Sequence, residues 1–477
     1  MNEEKLRDFT ASRMAQWNEI ACNRQDPSPF GREYYRRLFA IYGQLIPPGL
    51  RVLEVGSGSG DLLAALRPSV GLGADFSPQM VAQARERHPG LQFIVADAHR
   101  LVGIEGPFDA IVLSDLLNDV WDVQAVLGEL QALCTNTTRL VLNVYSHVWE
   151  VPLRIAAACG LARTKLQQNW LTVEDISNLL GLSGFELVSH REEILFPVPI
   201  PGLRGFANGY LVKLWPFRYF SLTSVVVARP VPRVVADARL TVSVVVPARN
   251  EAGNIERIVG EVPEMGEGTE LVFVEGHSTD GTFAVIEAAM RAHPERTMRL
   301  FRQTGAGKGD AVRLGFEKAT GDILMILDGD LTVDPGTLPR FYEAVRSGRG
   351  EFINGVRLVY PMEKEAMRPL NFLGNKFFSL AFSWLLGQPI KDTLCGTKAL
   401  HREAYARIAR NRGYFGEFDP FGDFDLLFGA AKLNLKIVEL PVRYGARRYG
   451  TTNIRRWRHG WMLLKMVAFA ARRIKFV

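Results

Sequence analysis

Two aspartates separated by one glycine carry the most specific chemistry in this sequence. Asp328 and Asp330 follow a very apolar segment, Ile323 to Leu327, which predicts a buried strand ending at the first carboxylate. Two carboxylates this close repel each other unless a cation lies between them. Mg²⁺ and Mn²⁺ bind a few carboxylates together with phosphate oxygens of a substrate. The pattern therefore predicts a metal site, with Asp328 and Asp330 as ligands, that bridges to a diphosphate.

A glycine-rich loop near the start of the chain predicts a second ligand site. The loop Gly56–Gly60 follows an apolar predicted strand, residues 51–55, and precedes a predicted helix. Glycines let the backbone approach a ligand closely and adopt positive φ. The spacing is GxGxG, which differs from the GxGxxG of dinucleotide folds. Asp75, Asp97 and Ser114 end the next predicted strands, where ligands bind in open α/β sheets.

The elements that must position these residues alternate between strands and helices in both halves of the chain. This alternation predicts α/β domains with parallel sheets. Each half begins with an apolar strand that leads into a special loop, RVLEVGSGSGD and TVSVVVPARNE. We expect two Rossmann-like domains in series, residues 1–230 and 241–450. A linker at 231–240 joins them, and an amphipathic helix at 451–477 follows.

Residues 51–145 resemble a class I S-adenosylmethionine-dependent methyltransferase, on the loop and the acidic strand ends just described. The resemblance implies that fold, with S-adenosyl-L-methionine as cofactor. It assigns Asp75 to the ribose, and Asp97 with Ala98 to the amino edge of the adenine. The remaining implied residues frame the methionine moiety, flank the adenine or lie at the mouth of the fourth strand: Glu54, Gly56, Gly58, Gly60, Phe76, Met80 and Ser114.

The methyl acceptor stays open, because methyl transfer mainly needs an oriented nucleophile and leaves little acid–base signature. SDLLND stands where an amino-group methylase of the adenine or glutamine kind has an NPPY-type motif, which disfavours that class. Several polar residues are either acceptor-side groups or ordinary caps and rim residues: Asp115, Asn118, Tyr145 and His147. Three others either close over the ligand or simply pack on the domain: Tyr34, Tyr35 and Arg37.

The second half resembles family 2 glycosyltransferases of the GT-A fold, in particular polyprenyl-phosphate sugar synthases of the dolichyl-phosphate mannose synthase type. VVPARNE, VEGHSTDG, GKGD and LDGD occur in the order of that family. EGHS replaces the usual DDGS, and Thr332 replaces a Gln metal ligand, so the donor base and the third ligand stay open. The implied nucleotide-sugar residues are Pro247, Arg249, Glu251, Glu275, Lys308, Asp328, Gly329 and Asp330.

The same resemblance implies inverting displacement onto a polyprenyl-phosphate or another lipid or glycan acceptor. It assigns catalytic roles to Asp392, Arg357 and Arg368. A phosphate acceptor is already anionic, so Asp392 acts as an acid–base group, merely orients its neighbours or forms a structural ion pair. Further residues match the acceptor side, the back wall and a phosphate cradle: Asn375, Asp423, Asp425, Glu439, Arg443, Arg447 and Arg448.

Charge is unevenly placed, although the formal net charge is only +6. After Glu439 there is no acidic residue, while ten Lys and Arg follow. Trp457 and Trp461 lie four residues apart, on one face of a predicted helix. We expect this tail, with the aromatic segment near 375–387, to meet an anionic membrane surface rather than nucleic acid. The alternative is a docked helix with a solvated basic face.

The remaining composition points to a cytoplasmic enzyme that is peripheral at the inner face of the membrane. The four cysteines are scattered, which disfavours disulfides and zinc. The first residues are polar and acidic, unlike a signal peptide, and no apolar run reaches ~18 residues.

Three hypotheses remain: a bifunctional transferase, a glycosyltransferase with a non-catalytic S-adenosylmethionine-binding regulatory or scaffold domain, and a pair of inactive domains serving as a membrane platform. The sugar, the nucleotide, both acceptors and the oligomeric state stay open.

Overall fold

The structure is a computed structural model that describes residues 3–23, 28–159, 166–197, 200, 202–232, 240–360, 369–414, 424–447, 449–450 and 456–476. The chain divides into two compact units, residues 1–231 and 232–475. Each unit has its own seven-stranded sheet and its own apolar core on both faces of that sheet.

The first unit places two helices before a sheet whose strands alternate with helices. Its elements are α1 Glu3–Cys22, α2 Pro29–Leu45, β1 Arg51–Val55, α3 Asp61–Leu66, β2 Val70–Asp75, α4 Pro78–Arg87, β3 Gln92–Val95, β4 Phe108–Leu113, α5 Val123–Glu129, β5 Cys134–Tyr145, α6 Glu150–Ala158, α7 Val173–Leu182, β6 Phe185–Glu193, α8 Leu203–Gly209 and β7 Thr223–Pro230.

Strand order in the first sheet is β3-β2-β1-β4-β5-β7-β6, so β1 is the middle one of the five strands β3, β2, β1, β4 and β5. Strands β1 to β5 run parallel, so the residues that follow β1, β2 and β4 lie at one edge. Strand β7 runs antiparallel to both β5 and β6. The sheet is therefore mixed, and the expectation of parallel strands is wrong for β7, because the connection that contains α8 returns the chain between β5 and β6 in the opposite direction.

The second unit repeats the alternation with a different set of connections. Its elements are β8 Val242–Ala248, α9 Ile255–Glu261, β9 Thr269–Glu275, α10 Thr282–Ala292, β10 Thr297–Arg302, α11 Lys308–Lys318, β11 Ile323–Ile326, α12 Leu338–Arg346, β12 Phe352–Val356, α13 Pro369–Leu386, β13 Lys398–His401, α14 Arg402–Arg410, α15 Phe424–Lys432, β14 Ile437–Pro441 and α16 Arg456–Ala470.

Strand order in the second sheet is β10-β9-β8-β11-β13-β12-β14. Strand β13 runs antiparallel to β11 and β12, so this sheet is also mixed rather than wholly parallel. Every residue of β11 is buried, as its apolar sequence predicts, and the strand ends just before Asp328. The parallel strands β8, β9 and β11 bring their carboxyl ends to the same edge.

The C-terminal helix α16 packs one face into the core of the second unit. Leu463, Met466 and Ala470 are buried there, whereas Trp461 on the other face is exposed. Within the described ranges, no helix is both long and apolar enough to cross a bilayer.

Candidate active sites

In the second unit, Asp328 forms an ion pair with the lysine that begins helix α11. Lys308 is the first residue of α11, and its Nζ lies 2.7 Å from Asp328 Oδ1. Burial opposes ionisation of Asp328, but the positive charges of Lys308, Lys398 and Arg357 outweigh it and hold the pKa of this carboxyl below its usual range. Asp328 is therefore an anion whose counter-charge comes from side chains.

Asp330 is held by a second cation and by a threonine. Its Oδ1 accepts hydrogen bonds from the Thr332 backbone N at 3.1 Å and Oγ1 at 2.8 Å. Its Oδ2 accepts one from Arg447 Nη2 at 2.7 Å. Thr332, which stands at the expected third metal-ligand position, thus bonds Asp330 and orients its carboxylate.

Glu251 joins this cluster from the loop after β8. Its Oε1 accepts from Arg447 Nη1 at 3.2 Å, and its Oε2 accepts from Asn254 Nδ2 at 2.7 Å. Burial raises the pKa of Glu251 to about 7, against the effect of Arg447 and with a contribution from Asp330. Arg447 therefore bridges the first loop and the aspartate motif, although these lie far apart in sequence.

Gly396 leaves room for the carboxylate cluster. A Cβ atom at this position would fall on the Asp328 carboxylate and the Lys308 ammonium, so any side chain would displace them. Asp328 and Asp330 could supply two oxygen ligands and leave the remaining positions to phosphate oxygens and water, a donor set that would fit Mg²⁺ or Mn²⁺. Among the residues the structure describes, no group of three or more His, Cys, Asp or Glu forms a metal site independent of substrate.

The loop that would face the nucleotide is fastened by short polar side chains. Asn250 has a positive φ of 58°, and its Oδ1 accepts from the Thr279 backbone N at 2.8 Å. Glu275 ends β9, is buried and accepts a hydrogen bond from the Ser278 backbone N. Pro247 is half-buried and Arg249 is exposed. The carboxylate of Glu275 is therefore engaged locally, within the loop cluster.

Arg357 and Asp392 form a buried bidentate ion pair. Arg357 Nε donates to Asp392 Oδ2 at 2.7 Å and Nη2 donates to Oδ1 at 2.8 Å. The backbone N of Arg357 and of Leu394 also donate to this carboxylate. Burial alone would raise the pKa of Asp392, but the charge of Arg357 and these hydrogen bonds hold it below its usual range. Asp392 therefore positions Arg357, and its low proton affinity makes it a poor base.

Some residues predicted for this site have partners outside the aspartate cluster, and others fall outside the described residues. Glu439 accepts from the Lys391 backbone N at 2.7 Å, which fastens the segment that carries Asp392. Asp425 pairs with Arg412 at 2.8 Å, and Arg443 lies 5.2 Å from the centre of the Tyr360 ring. Asn375 lies on α13. Predicted residues outside the described ranges are Arg368, Asp423, Arg448 and, for its side chain, Trp457.

In the first unit, the glycine loop and Asp75 interlock. Asp75 Oδ2 accepts from the Gly58 backbone N at 2.8 Å, and Oδ1 accepts from the Ser77 backbone N at 2.9 Å. Burial raises the pKa of Asp75, and the two backbone bonds oppose that rise. Gly60 has φ of 77°, and a Cβ atom there would lie 2.5 Å from the Phe93 ring. Gly60 is therefore needed for the positive φ of the loop and for its close packing on Phe93.

The other predicted cofactor residues surround this loop. Glu54 is buried and accepts from the Leu63 backbone N at 3.1 Å, which ties α3 to β1. Burial raises its pKa well above the usual range. Asp97 is partly exposed, and a hydrogen bond from His99 lowers its pKa. Phe76 is half-buried, while Met80 and Ala98 are buried at the same edge.

Asp115, after β4, is the centre of a polar cluster. Its Oδ1 accepts from Tyr34 Oη at 2.7 Å and from Asn143 Nδ2 at 2.6 Å. Its Oδ2 is buried without a hydrogen-bond partner among the described residues. Tyr42 Oη donates to Asn143 Oδ1 at 2.8 Å. Burial raises the pKa of both tyrosines well above the usual range, so they are neutral donors. Ser114 is half-buried beside them.

Among the other acceptor-side candidates, the Tyr145 backbone N donates to Asn118 Oδ1 at 3.2 Å. Asn118 is buried and bonds Asn169 O at 2.7 Å. His147 is exposed beside Glu150, and Arg37 pairs with Glu193 at 3.3 Å. The remaining two pack as an aromatic group with Tyr34: Tyr35 and Tyr145.

Sequence reasoning missed Asn143 and the role of α1. Asn143 is a polar residue in the otherwise apolar strand RLVLNVY, and that interruption is the signal for it. Helix α1 reaches the cofactor edge, because Ser77 Oγ donates to Asn18 Oδ1 at 2.6 Å. Arg13 Nε also donates to Asp119 Oδ1 at 2.7 Å, after β4. This helical segment carries no motif, so nothing in the sequence places it at the site.

Comparisons with known proteins match a domain in each half of the chain. The family model described as Glycosyl transferase family 2 matches residues 243–409, and the one described as Methyltransferase domain matches residues 52–136. Glycosyltransferase AglJ of Haloferax volcanii is 30% identical over 224 residues, which are 46% of this chain and 69% of that protein. Dolichol-phosphate mannosyltransferase of Pyrococcus furiosus is 27% identical over 50% of this chain and 67% of its own length. Polyprenol monophosphomannose synthase of Mycolicibacterium smegmatis is 27% identical over 44% of this chain and 80% of its own length.

These matches confirm both sequence resemblances and the two α/β domains in series. The methyltransferase domain implies S-adenosylmethionine as its cofactor. The chain belongs to glycosyltransferase family 2 and carries, before the glycosyltransferase domain, a methyltransferase domain.

Proposed function

We propose that this chain is a bifunctional transferase. The second domain transfers a sugar from a nucleotide-sugar to a polyprenyl-phosphate or another lipid or glycan acceptor, with inversion and with Mg²⁺ or Mn²⁺. The first domain methylates an acceptor with S-adenosylmethionine. The observation that carries the sugar-transfer part is the pairing of Asp328 with Lys308 and of Asp330 with Arg447 at the end of β11. This cluster offers both carboxylates for a cation and cations for a diphosphate.

In this reaction the bond between the anomeric carbon and the diphosphate oxygen breaks as an acceptor oxygen bonds to that carbon. A divalent cation held by Asp328 and Asp330 would stabilise the negative charge of the departing nucleoside diphosphate. Lys308 and Arg447 would turn from the carboxylates to the phosphate oxygens. Arg357, fixed by Asp392, would neutralise an acceptor phosphate, and such an acceptor needs no general base.

In the methyltransferase domain, Asp75 and the glycine loop would hold the ribose and methionine parts of the cofactor. Asp115 would orient the methyl acceptor, because its Oδ2 has no hydrogen-bond partner among the described residues and could accept a hydrogen bond from that molecule. The transfer moves a methyl group from sulfur to a nucleophile, which loses a proton to solvent or to Asp115.

We also propose that the second domain lies at the inner face of the cytoplasmic membrane as a peripheral protein. Exposed apolar side chains of α13 and α16 support this proposal: Phe377, Leu380, Trp461 and Leu464. Lys465 lies 5.9 Å from the centre of the Trp461 ring, so charge and aromatic surface are adjacent. Because Leu463 and Met466 belong to the core, Trp461→Glu with Leu464→Glu tests this surface better than deletion of the helix.

A donor screen tests sugar transfer. Thermal unfolding of the full chain is measured with UDP-, GDP- and dTDP-sugars, each with and without Mn²⁺. One donor should raise the Tm of the second domain only in the presence of the cation. If no donor raises the Tm of the wild-type protein, the nucleotide-sugar assignment is wrong.

Methyl transfer is tested by the formation of S-adenosylhomocysteine with lipid and glycan acceptors. Turnover that Asp115→Asn removes, with cofactor affinity retained, supports catalysis in the first domain. Cofactor binding without turnover on any acceptor would favour the regulatory or scaffold alternative.

A further inference from the structure

A part of the first unit that neither proposed activity uses is the connection between β6 and β7. Seven aromatic residues lie between positions 195 and 220, and no Asp or Glu occurs between Glu193 and Asp237. Trp215 is 75% exposed, and further aromatic side chains of this connection are exposed with it. We define the aromatic surface by six of them: Phe196, Phe206, Trp215, Phe217, Tyr219 and Phe220. Concentrated apolar exposure of this kind marks an interaction site.

The polypeptide beneath the aromatic surface is firmly built. Asn208 Oδ1 accepts from the backbone N of Leu195 at 2.9 Å and of Phe196 at 2.8 Å, and its Nδ2 donates to Phe196 O at 2.7 Å. A buried ion pair joins Lys213 Nζ to Glu193 Oε1 at 2.5 Å. These bonds fix the backbone, so the rings are held outward by defined structure.

The chemistry of the aromatic surface matches an anionic lipid bilayer. Trp and Tyr rings are favoured at the level of lipid headgroups, where one end of the ring is apolar and the other is wet. Arg218 lies over the Tyr219 ring, with its guanidinium carbon 5.0 Å from the ring centre. Arg204 is also partly exposed, and its guanidinium pairs with Glu33 at 3.0 Å, so Arg218 carries the basic charge of this surface. An aromatic surface with Arg218, in a segment without Asp or Glu, complements anionic headgroups.

A neighbouring helix extends this surface. Val148, Val151 and Ile155 are exposed, and their spacing places them on one face of α6 and the turn before it. Trp149 Nε1 donates to Phe220 O at 2.8 Å, which ties this helix to the end of the aromatic connection. This bond places the start of α6 beside the end of the aromatic surface.

We propose that the aromatic surface docks the first unit onto an anionic lipid bilayer. The surface ends close to the Asp115 cluster, since Thr223, three residues after Phe220, accepts from Asn143 Nδ2 at 3.2 Å. The backbone N of Ser146 also donates to Leu222 O at 2.9 Å. The methyl acceptor is accordingly a group carried at the membrane surface, on a lipid headgroup or a lipid-linked glycan. This second step rests on the proposed methyl transfer, whereas docking does not.

Vesicle flotation of the full chain tests the docking. Vesicles of phosphatidylcholine alone and with phosphatidylglycerol are compared for wild type and for Trp215→Glu with Phe217→Glu. The matched control is Val102→Glu with Leu182→Glu, two exposed apolar residues of the same unit outside the surface. The surface variant should bind anionic vesicles about tenfold or more weakly, since each ring loses its apolar burial. The control should bind as wild type does, and all forms should keep their affinity for S-adenosylmethionine.

A second measurement uses vesicles that contain brominated lipids, which quench tryptophans that enter the bilayer. Wild type should be quenched more than Trp215→Phe, although both bind. Equal flotation of the surface variant and wild type, with equal quenching of Trp215→Phe, would overturn the proposal. So would a dimer in vesicle-free light scattering that the surface variant dissociates, because the surface would then join two copies. Intact docking with no methyl transfer to vesicles that carry lipid-linked glycans as well as these phospholipids would reject the acceptor step alone.

Discussion

The two domains treat the acidic residues at their strand ends in opposite ways. In the methyltransferase domain, Asp75 is satisfied by the backbone N–H groups of Gly58 and Ser77. In the glycosyltransferase domain, Asp328 and Asp330 are satisfied by the side chains of Lys308 and Arg447. Both sheets present the same edge to a ligand, so the difference lies in the groups that neutralise the acids.

This difference reflects the charge of the ligand that each domain is proposed to bind. A ribose has hydroxyl groups, and a carboxylate held by backbone amides can accept hydrogen bonds from them without a cation nearby. A nucleoside diphosphate is a polyanion, and it needs cations and a metal. Counter-charges at strand ends therefore distinguish these two α/β sites, whereas the strand order beside the sites, β3-β2-β1-β4 and β10-β9-β8-β11, is the same.

The largest expected effect comes from removing a carboxylate that is neutralised by a side-chain cation. Asp330→Asn should lower the rate of sugar transfer by about 100-fold or more, because the site loses one metal ligand and the partner of Arg447. S-adenosylmethionine affinity should not change, since the cofactor site belongs to another sheet. Transfer rates in Mn²⁺-replete buffer and calorimetry measure the two quantities.

Asp334→Asn is the control for this change, because Asp334 is exposed close by and asparagine caps a helical turn equally well. Normal sugar transfer by Asp330→Asn would show that the metal-bridge assignment is wrong.

Gly396→Ala tests whether steric room, and not only charge, defines the second site. The new Cβ atom would push Asp328 and Lys308 from their places, and misplacement of about 1 Å costs up to about 100-fold in rate. Gly374→Ala is a control, since a Cβ atom added there would meet nothing within 4 Å. Equal transfer rates for both variants would contradict the assigned role of Gly396.

Asp75→Ala tests the backbone-bound side of the comparison. S-adenosylmethionine binding should weaken by about 1–3 kcal/mol, through loss of the ribose contact and of the bond that fixes Gly58. Asp109→Ala, an exposed residue at the opposite end of the sheet, should bind normally. Calorimetry measures both, and unchanged affinity in Asp75→Ala would remove the ribose assignment.

The smallest expected effect concerns the pH dependence of stability at Glu251. Burial raises its pKa from 4.5 to about 7, so between these values the folded protein holds a proton that the unfolded chain releases. Its contribution to stability is therefore present at low pH and is lost as pH rises through about 7. The stability of Glu251→Gln should therefore fall less than that of wild type between about pH 5 and pH 8, because glutamine does not titrate. Denaturant unfolding of the second unit in the full chain, at both pH values, measures this difference. An equal loss of stability in wild type and in Glu251→Gln would contradict the prediction.

Sequence alone predicted the elements that carry motifs. The strand at residues 51–55 and the helix that begins at Asp61 match the structure, because a glycine loop and an apolar run define them locally. Lys308 was expected in the glycine loop before a helix and is the first residue of α11. The antiparallel strand β13 was not predicted, since strand direction depends on which neighbour a segment joins. The hydrogen bond from Asn143 to Asp115 and the one from Arg447 to Glu251 were not predicted either, since each joins segments far apart in sequence.

The cation–carboxylate pairs at β11 have a consequence for how ligands enter the second site. Lys308 and Arg447 occupy carboxylate oxygens that a metal ion would need, and phosphate oxygens would draw these cations away from them. Metal and nucleotide should therefore bind with positive cooperativity, each raising the affinity for the other by the same factor. A nucleotide affinity measured without metal would understate the strength of the contacts, because part of the binding free energy goes into exchanging one set of ion pairs for another.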